Sequence, residues 1–327
     1  MTPYDALIVG TGAAGCYVAL NLDSRLSVLI ICKTEPEECD SFLAQGGICC
    51  LTGSGDFDAF FEDTMKAGHY QNNAEAVKIM LSASPAVIAD LDRLGVDFAK
   101  KDGAFLYARE AAHSAPRILY HEDTTGAALT GVLLDAVRKR PNITVRTRTE
   151  MTDIIVEDGR CAGIRAVCSG AETALYARCV VLATGGVGGN YAHTTNYSCL
   201  TGDAVRIALK RGIPVTNPDH VQIHPTTLYS EQPGRRFLIS ESVRGEGAVL
   251  LDRNGERFAD ELLPRDALTD RIREKMRDEG SAFVRLSLAG IRTVDVRQRV
   301  PAIYRTCREA GYDITKAPVP VVPAQHD

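Results

Sequence analysis

The chain has 327 residues, 45% of them hydrophobic, which is enough for a large buried core and, at this length, for two domains. A formal charge of −5, a pI near 5.9 and the lack of any lysine or arginine run argue against a surface made for nucleic-acid phosphates or anionic lipid. No apolar run reaches membrane-spanning length, and the strand-like ALIVG beginning at Ala6 leaves no room for a leader, so a soluble cytoplasmic protein is expected.

In chain order, ALIVG, then TGAAG, then CYVALNLDS and SVLIIC read as strand, glycine turn, helix and strand. This is a βαβ unit of an α/β nucleotide-binding domain. Residues 74–94 predict a helix with a break near Pro85, and residues 125–140 an amphipathic helix. From 142 to 184 the pattern alternates through several strands, with turns at Asp158-Gly159 and Ser169-Gly170. Beyond about 217 the texture changes; Asn254-Gly255 reads as a hairpin turn and Pro264 as the first turn of a helix. The division expected is 1–217 for the nucleotide domain and 218–327 for the second. The ten cysteines contain no C-x-x-C pair and several sit in apolar runs, so buried, reduced thiols are expected, with Cys49 and Cys50 as small core residues.

GTGAAG supplies Gly10, Gly12 and Gly15, with Thr11, Ala13 and Ala14 between them, after a strand and at the opening of a helix. In that context the glycines allow a tight turn and close approach of backbone to a pyrophosphate on the helix N-terminus. The motif does not by itself separate FAD from NAD(P). The second strand ends Cys32-Lys33 instead of in an acid for the ribose, so Lys33 could meet a phosphate and NADP stays open. Three segments favour flavin: SFLAQGG (Ser41, Phe42, Leu43, Ala44, Gln45, Gly46, Gly47), whose glycine pair lets main chain approach a ring system, VVLATGG at 180–186, and TGDAV with Asp203. Asp203 also has a plainer reading as a helix N-cap.

The segments GTGAAG, AQGGI, EDTMKAG, REAAHSAPRILYHEDTTG, VVLATGG, IHPTTLY, RGEGA and APVPVVPAQH occur in the order found in the L-aspartate oxidase family. The chain resembles that family from residue 6 to its end, within the wider group of succinate dehydrogenase and fumarate reductase flavoproteins. The resemblance implies an α/β Rossmann-type FAD-binding domain with an inserted α+β capping domain. In the dehydrogenases a histidine before A-Q-G-G carries FAD covalently; the matching residue here is Asp40, which implies non-covalent FAD. Met151 joins the implied cofactor contacts.

The implied reaction moves a hydride from the α-carbon of L-aspartate to flavin, giving iminoaspartate, with fumarate or O2 reoxidising the flavin. Such a substrate needs cations for two carboxylates and an anion for its ammonium. By resemblance Glu110 faces the amino group, His224 and His326 hold carboxylates, Gln222 assists, and Arg265 lies over the reacting carbons and donates the proton in fumarate reduction. Arg265 has support of its own: a cation at a probable helix start conflicts with the macrodipole, and a nearby anion would relieve this. The plainer reading is a solvated arginine, or one paired with Asp266 or Glu261. Glu241 and Glu246 are candidates for a proton path, while His113, Arg117, His121, Glu122 and Asp123 are expected to form supporting ion pairs and hydrogen bonds. Quinolinate synthase is the expected next enzyme. In the family more chain follows the position of His326, with further FAD contacts and a substrate-binding arginine, so a fragment of a longer enzyme is expected. A fumarate or succinate oxidoreductase and a non-catalytic remnant are the alternatives.

Overall fold

The computed structural model describes residues 3–292 and 295–326. Packing divides the chain into two units. The first contains the residues up to Leu43 together with Ala127–Val221, and the second contains Ala44–Gly126 together with Gln222–His326. This differs from a single division near 217: residues 44–126 pack with the C-terminal half.

The first unit is built on a six-stranded sheet in the order Ile143–Arg146, Val28–Ile31, Tyr4–Val9, Ala171–Leu182, Arg160–Cys168, Thr149–Glu157. The first four strands are parallel and the last two extend the sheet as antiparallel hairpins. Val28–Ile31 is buried throughout, as a parallel strand covered on both faces must be. The helix Ala13–Asn21 connects the first two strands, completing the βαβ opening. Both expected hairpin turns are present. Asp158 and Gly159, like Ser169 and Gly170, have positive φ at both central positions, the type I′ geometry that matches strand twist.

The second unit contains a four-stranded antiparallel sheet, Ile223–Leu228, Val319–Gln325, Val284–Ser287, Val249–Leu251. Its core joins Leu228, Leu250, Leu286 and Val321 of the sheet to Leu268 and Ile272 of the helix Arg265–Glu279 and Ile303 of the helix Pro301–Glu309. The Asn254-Gly255 turn is a three-residue loop in which only Gly255 is left-handed, φ 84°, and Asp252 N–H donates to Glu256 O at 2.9 Å. Pro264 is the N-cap of its helix, so Arg265 is the first helical residue.

Two expectations are corrected. The helix Ala74–Leu94 runs through Pro85 without a break. Proline removes the N–H that would bond the Leu81 carbonyl, and Ser84 Oγ donates to that carbonyl instead, at 2.7 Å. All ten cysteines are free thiols, but burial is not general: Cys16, Cys32, Cys50 and Cys307 are buried, whereas Cys161, beside the Asp158-Gly159 turn, and Cys179 are exposed. Among the described residues no helix is long and apolar enough to cross a membrane.

Candidate functional site

In the first unit the glycine turn borders a cavity of about 450 Å³. Gly10, Thr11, Gly12, Ala14, Lys33, Ser41, Met151 and Asp203 line it, joined by Cys32, Thr184, Gly185 and Cys199. Ala13, Gly15, Phe42 and Leu43 do not. Gly10 has φ 118°, and a Cβ there would overlap the carbonyl of Ala183; a Cβ at Gly15 would overlap the carbonyl of Gly10. The turn therefore closes only on glycine. Gly12 caps the helix Ala13–Asn21 with no side-chain acceptor, while Ser41 Oγ accepts from Ala13 N–H at 3.0 Å. A helix N-terminus with glycine at its cap and a roomy cavity beside it suits a dinucleotide pyrophosphate. The Lys33 ammonium lies 2.6 Å from Asp203 and 2.9 Å from Thr201 Oγ1, so its charge is matched by protein rather than left for a phosphate. Asp40 accepts from the Asn196 side chain and from Tyr197 N–H.

The unit boundary cuts SFLAQGG after Leu43. In the second unit Ala44 O accepts from Gly126 N–H and Gly46 O from Thr125 Oγ1, while Gln45 is buried. A Cβ on Gly46 would meet Glu110 Oε1 at 2.5 Å, and one on Gly47 would overlap Leu119 O. The close approach permitted here is that of Glu110 and its own loop.

The second unit also gathers the polar residues singled out above. Ile223 pairs with Gln325 and His224 with Ala324 across two antiparallel strands, and His326 N–H donates to Gln222 O at 2.8 Å. That register brings the rings of His224 and His326 to 5.5 Å between centroids, edge to face. Arg265, at the head of its helix, donates from Nη1 to Gln222 Oε1 at 2.5 Å and from Nε to Glu241 Oε2 at 2.6 Å. Glu241 opens the helix Glu241–Gly245, whose cap Ser240 accepts from Ser242 N–H. It is the anion that relieves the conflict between Arg265 and the helix dipole. The plainer partners are engaged elsewhere: Asp266 with His69 at 2.8 Å and Glu261 with Arg257 at 2.6 Å.

Arg244, buried 3.6 Å from Glu241, was not identified from sequence; it begins the RGEGA segment, three residues after Glu241. The end of that short helix lies on the Glu110 backbone, where a Cβ on Gly245 would come within 3.6 Å of Glu110 Cα. Glu246 binds Arg299 at 2.7 Å rather than Arg265, and Arg299 covers the Tyr120 ring.

Among the described residues Glu110 Oε1, His224 Nε2 and two nitrogens of Arg244 are buried without hydrogen-bond partners. Native proteins rarely leave such groups unmatched unless something else binds them. His224 Nδ1 accepts from Thr226 N–H at 3.2 Å, which leaves the proton on Nε2 as an unused donor. Burial, reinforced by Arg265 and Arg244, holds this imidazole neutral, its pKa well below the usual value. Burial also pushes Glu110 up to about 7, with help from Glu241 and against Arg265, Arg244 and Arg299.

The other ionisable groups of residues 108–126 make contacts within the second unit. Arg117 is fully buried, binds Asp56 and Asp63 at 2.7 and 2.6 Å, and lies over Phe60. Asp123 accepts from Ala302 and Ile303 N–H, capping the helix Pro301–Glu309 from a distant segment. His121 binds Asp97 O, Glu122 O accepts from Arg299, and His113 Nε2 lies 3.7 Å from Cys49 Sγ.

A family model described as FAD binding domain matches residues 5–327. The L-aspartate oxidase of Clostridium perfringens is 43% identical over 98% of this chain and 74% of its own length. The chain belongs to the L-aspartate oxidase family. The corresponding enzyme of Clostridium acetobutylicum is 40% identical over 98% of this chain and 75% of its length. Among solved structures, a variant of E. coli quinol fumarate reductase superposes with a TM-score of 0.89 at 26% identity, over 99% of this chain and 60% of that one. The L-aspartate oxidase family and this fold mark an FAD-dependent oxidoreductase, and the first unit's cavity and glycine turn fit that cofactor.

Proposed function

We propose that this chain oxidises L-aspartate to iminoaspartate on FAD, with fumarate or O2 taking the electrons, as the first step of NAD biosynthesis through quinolinate. The observation that carries the proposal is the mixed charge of the second unit's cluster, in which a buried Glu110 with an unpartnered oxygen accompanies Arg244, Arg265 and a neutral His224 with an unused N–H donor. Two carboxylates call for the cations and donors; an ammonium calls for Glu110. Succinate has no group for that glutamate.

When bound, FAD supplies the acceptor for the hydride that leaves the α-carbon. Arg265 neutralises a carboxylate, held in one orientation by Gln222 and Glu241. His224 and His326 bind carboxylate oxygens. As the amine becomes an imine it sheds a proton, and Glu110 is the base we assign to it. In fumarate reduction Arg265 delivers a proton. Having given up a proton, the guanidinium must regain one, and Glu241, in contact with it, is the carboxylate we assign to that task. The ten unpaired cysteines support a cytoplasmic location, and quinolinate synthase is the enzyme we expect to take the product.

The test is anaerobic. L-Aspartate or succinate is added to the FAD-loaded chain, and to a chain as long as the clostridial relatives, while oxidised-flavin absorbance is followed. Bleaching by aspartate and not by succinate is expected. Bleaching by succinate alone would assign the site to a simple dicarboxylate, and bleaching by neither would overturn the proposal.

A further inference from the structure

Glu110 lies between two points of the second unit that one arginine joins. At its backbone end, a Cβ on Gly245 would come within 3.6 Å of Glu110 Cα, so Glu246, the next residue, starts beside it. At its carboxyl end, Oε1 reaches Gly46; Gly47 packs on Leu119 O, and Tyr120 follows. Arg299 touches both sides. Its Nε donates to Glu246 Oε1 at 2.7 Å, its guanidinium lies 4.2 Å from the centre of the Tyr120 ring, and Nη1 donates to Glu122 O at 3.0 Å. Three anchors of different kinds thus hold a guanidinium whose side chain is only 11% exposed. A solvated ion pair is screened and contributes little, whereas a cation fixed on an aromatic face and shielded from water keeps its field.

The charges facing Glu110 come from each element packed around it. Arg265 and Glu241 form one opposed pair, with Arg244 beside Glu241, and Arg299 and Glu246 form a second. On Glu110's own loop Arg109 is bound to His113 O, while His113 and the nearby Cys49 are neutral, burial pushing the imidazole down and the thiol up to about 12. The three arginines 244, 265 and 299 favour the Glu110 anion, against burial and Glu241. We propose that Arg299 and Glu246 are positioning residues for Glu110 that set the charge it presents to a substrate ammonium: the guanidinium favours the carboxylate, and Glu246 tempers the guanidinium. The inference rests on the reading of Glu110 as the partner of that ammonium and as its base. A carboxyl in both roles must be ionised when the amine arrives and still basic enough to take a proton from it. A bare cation would serve the first need and defeat the second; an opposed pair serves both.

Two readouts test this on the FAD-loaded chain. The first is a pH titration, without substrate, of the infrared band of the protonated Glu110 carboxyl, identified by its loss in Glu110→Gln; the second is the pH dependence of the KM for aspartate. Arg299→Gln should move both midpoints up by roughly one pH unit. Glu246→Gln should move both down, because the cation stays on Tyr120 and Glu122 O while its counter-charge is gone. The double variant should return close to the native midpoint, and Arg299→Lys, which keeps the charge, should shift it less than Arg299→Gln. Should Arg299→Gln fail to fold, the near-isosteric Glu246→Gln decides the sign by itself. The KM for fumarate, which has no ammonium, should hold steady in every variant. Shifts of one sign in both single variants, no shift in either, or an upward shift in Glu246→Gln would each overturn the proposal. So would a parallel rise in the KM for fumarate, which would place Arg299 on a substrate carboxylate. Absence of aspartate oxidation by the native chain would overturn the functional reading instead, and the infrared midpoints would still decide whether the pair governs Glu110.

Discussion

The two units solve their recognition problems with different materials. The first unit's cavity is framed by backbone: its specificity lies in a glycine turn within six consecutive residues, where Gly10 at φ 118° and Gly15 admit no Cβ. The second unit's cluster is made of side chains drawn from residues 110, 222, 224, 241, 244, 265 and 326, assembled by strand register and two helix starts. A local backbone site is robust to sequence drift elsewhere and generic in what it binds. A dispersed side-chain site can be changed one residue at a time, so substrate preference is expected to reside there.

The largest effect that separates them is expected from Gly10→Ala. The new methyl meets the Ala183 carbonyl in a conformation that alanine resists, so the variant should purify without flavin, read as absorbance per chain. Retention of full flavin content would show that the turn is not the determinant. Arg265→Leu is the converse. FAD should remain bound while flavin reduction by aspartate and fumarate turnover fall by roughly 10²–10³-fold, the scale of losing one preorganised charge at a reacting centre. Loss of FAD from this variant would remove Arg265 from the assigned role.

Glu110→Gln sharpens the comparison within the second unit. With its pKa raised to about 7, Glu110 is largely neutral below that pH and becomes an anion above it, so aspartate affinity should rise as pH passes through 7. The glutamine variant should flatten that rise and raise the KM for aspartate while leaving the KM for fumarate nearly unchanged. The linkage has the opposite sign for stability. A carboxyl whose folded pKa lies above its unfolded value stabilises the fold below about 4.5 and loses that contribution, on the order of 3 kcal/mol, as pH rises toward 7. Urea midpoints measured between those limits should fall for the native protein and hold steady for Glu110→Gln.

What was legible in the sequence follows the same contrast. The βαβ opening, the turns at Asp158-Gly159 and Ser169-Gly170, and the glycine turn each depend on residues adjacent in sequence, and each is legible there. Arg244 was missed because its importance comes from packing against Glu241, and an arginine in a short polar helix has no signature of its own. The resemblance to a family supplied His224 and His326 together; nothing in the hundred residues between them foretells that their strands pair. The break expected at Pro85 failed for a local reason that a rule about proline does not contain, namely the residue before it.

Ser84 therefore offers the smallest and most exacting of these tests. Its hydroxyl accepts from Leu51 N–H at 3.1 Å and donates to Leu81 O at 2.7 Å, serving two backbone groups at the point where Pro85 withholds a donor. Ser84→Ala should cost about 1–2 kcal/mol, the usual penalty for leaving such groups unmatched. Pro85→Ala restores the missing N–H to the Leu81 carbonyl, so the double variant should recover part of the loss while Leu51 N–H stays unpaired. Urea unfolding of the four proteins measures the coupling directly. If Ser84→Ala is neutral, or if the two changes simply add, the continuity of the helix rests on its buried face of Val77, Leu81, Ile88 and Leu91 and not on the serine.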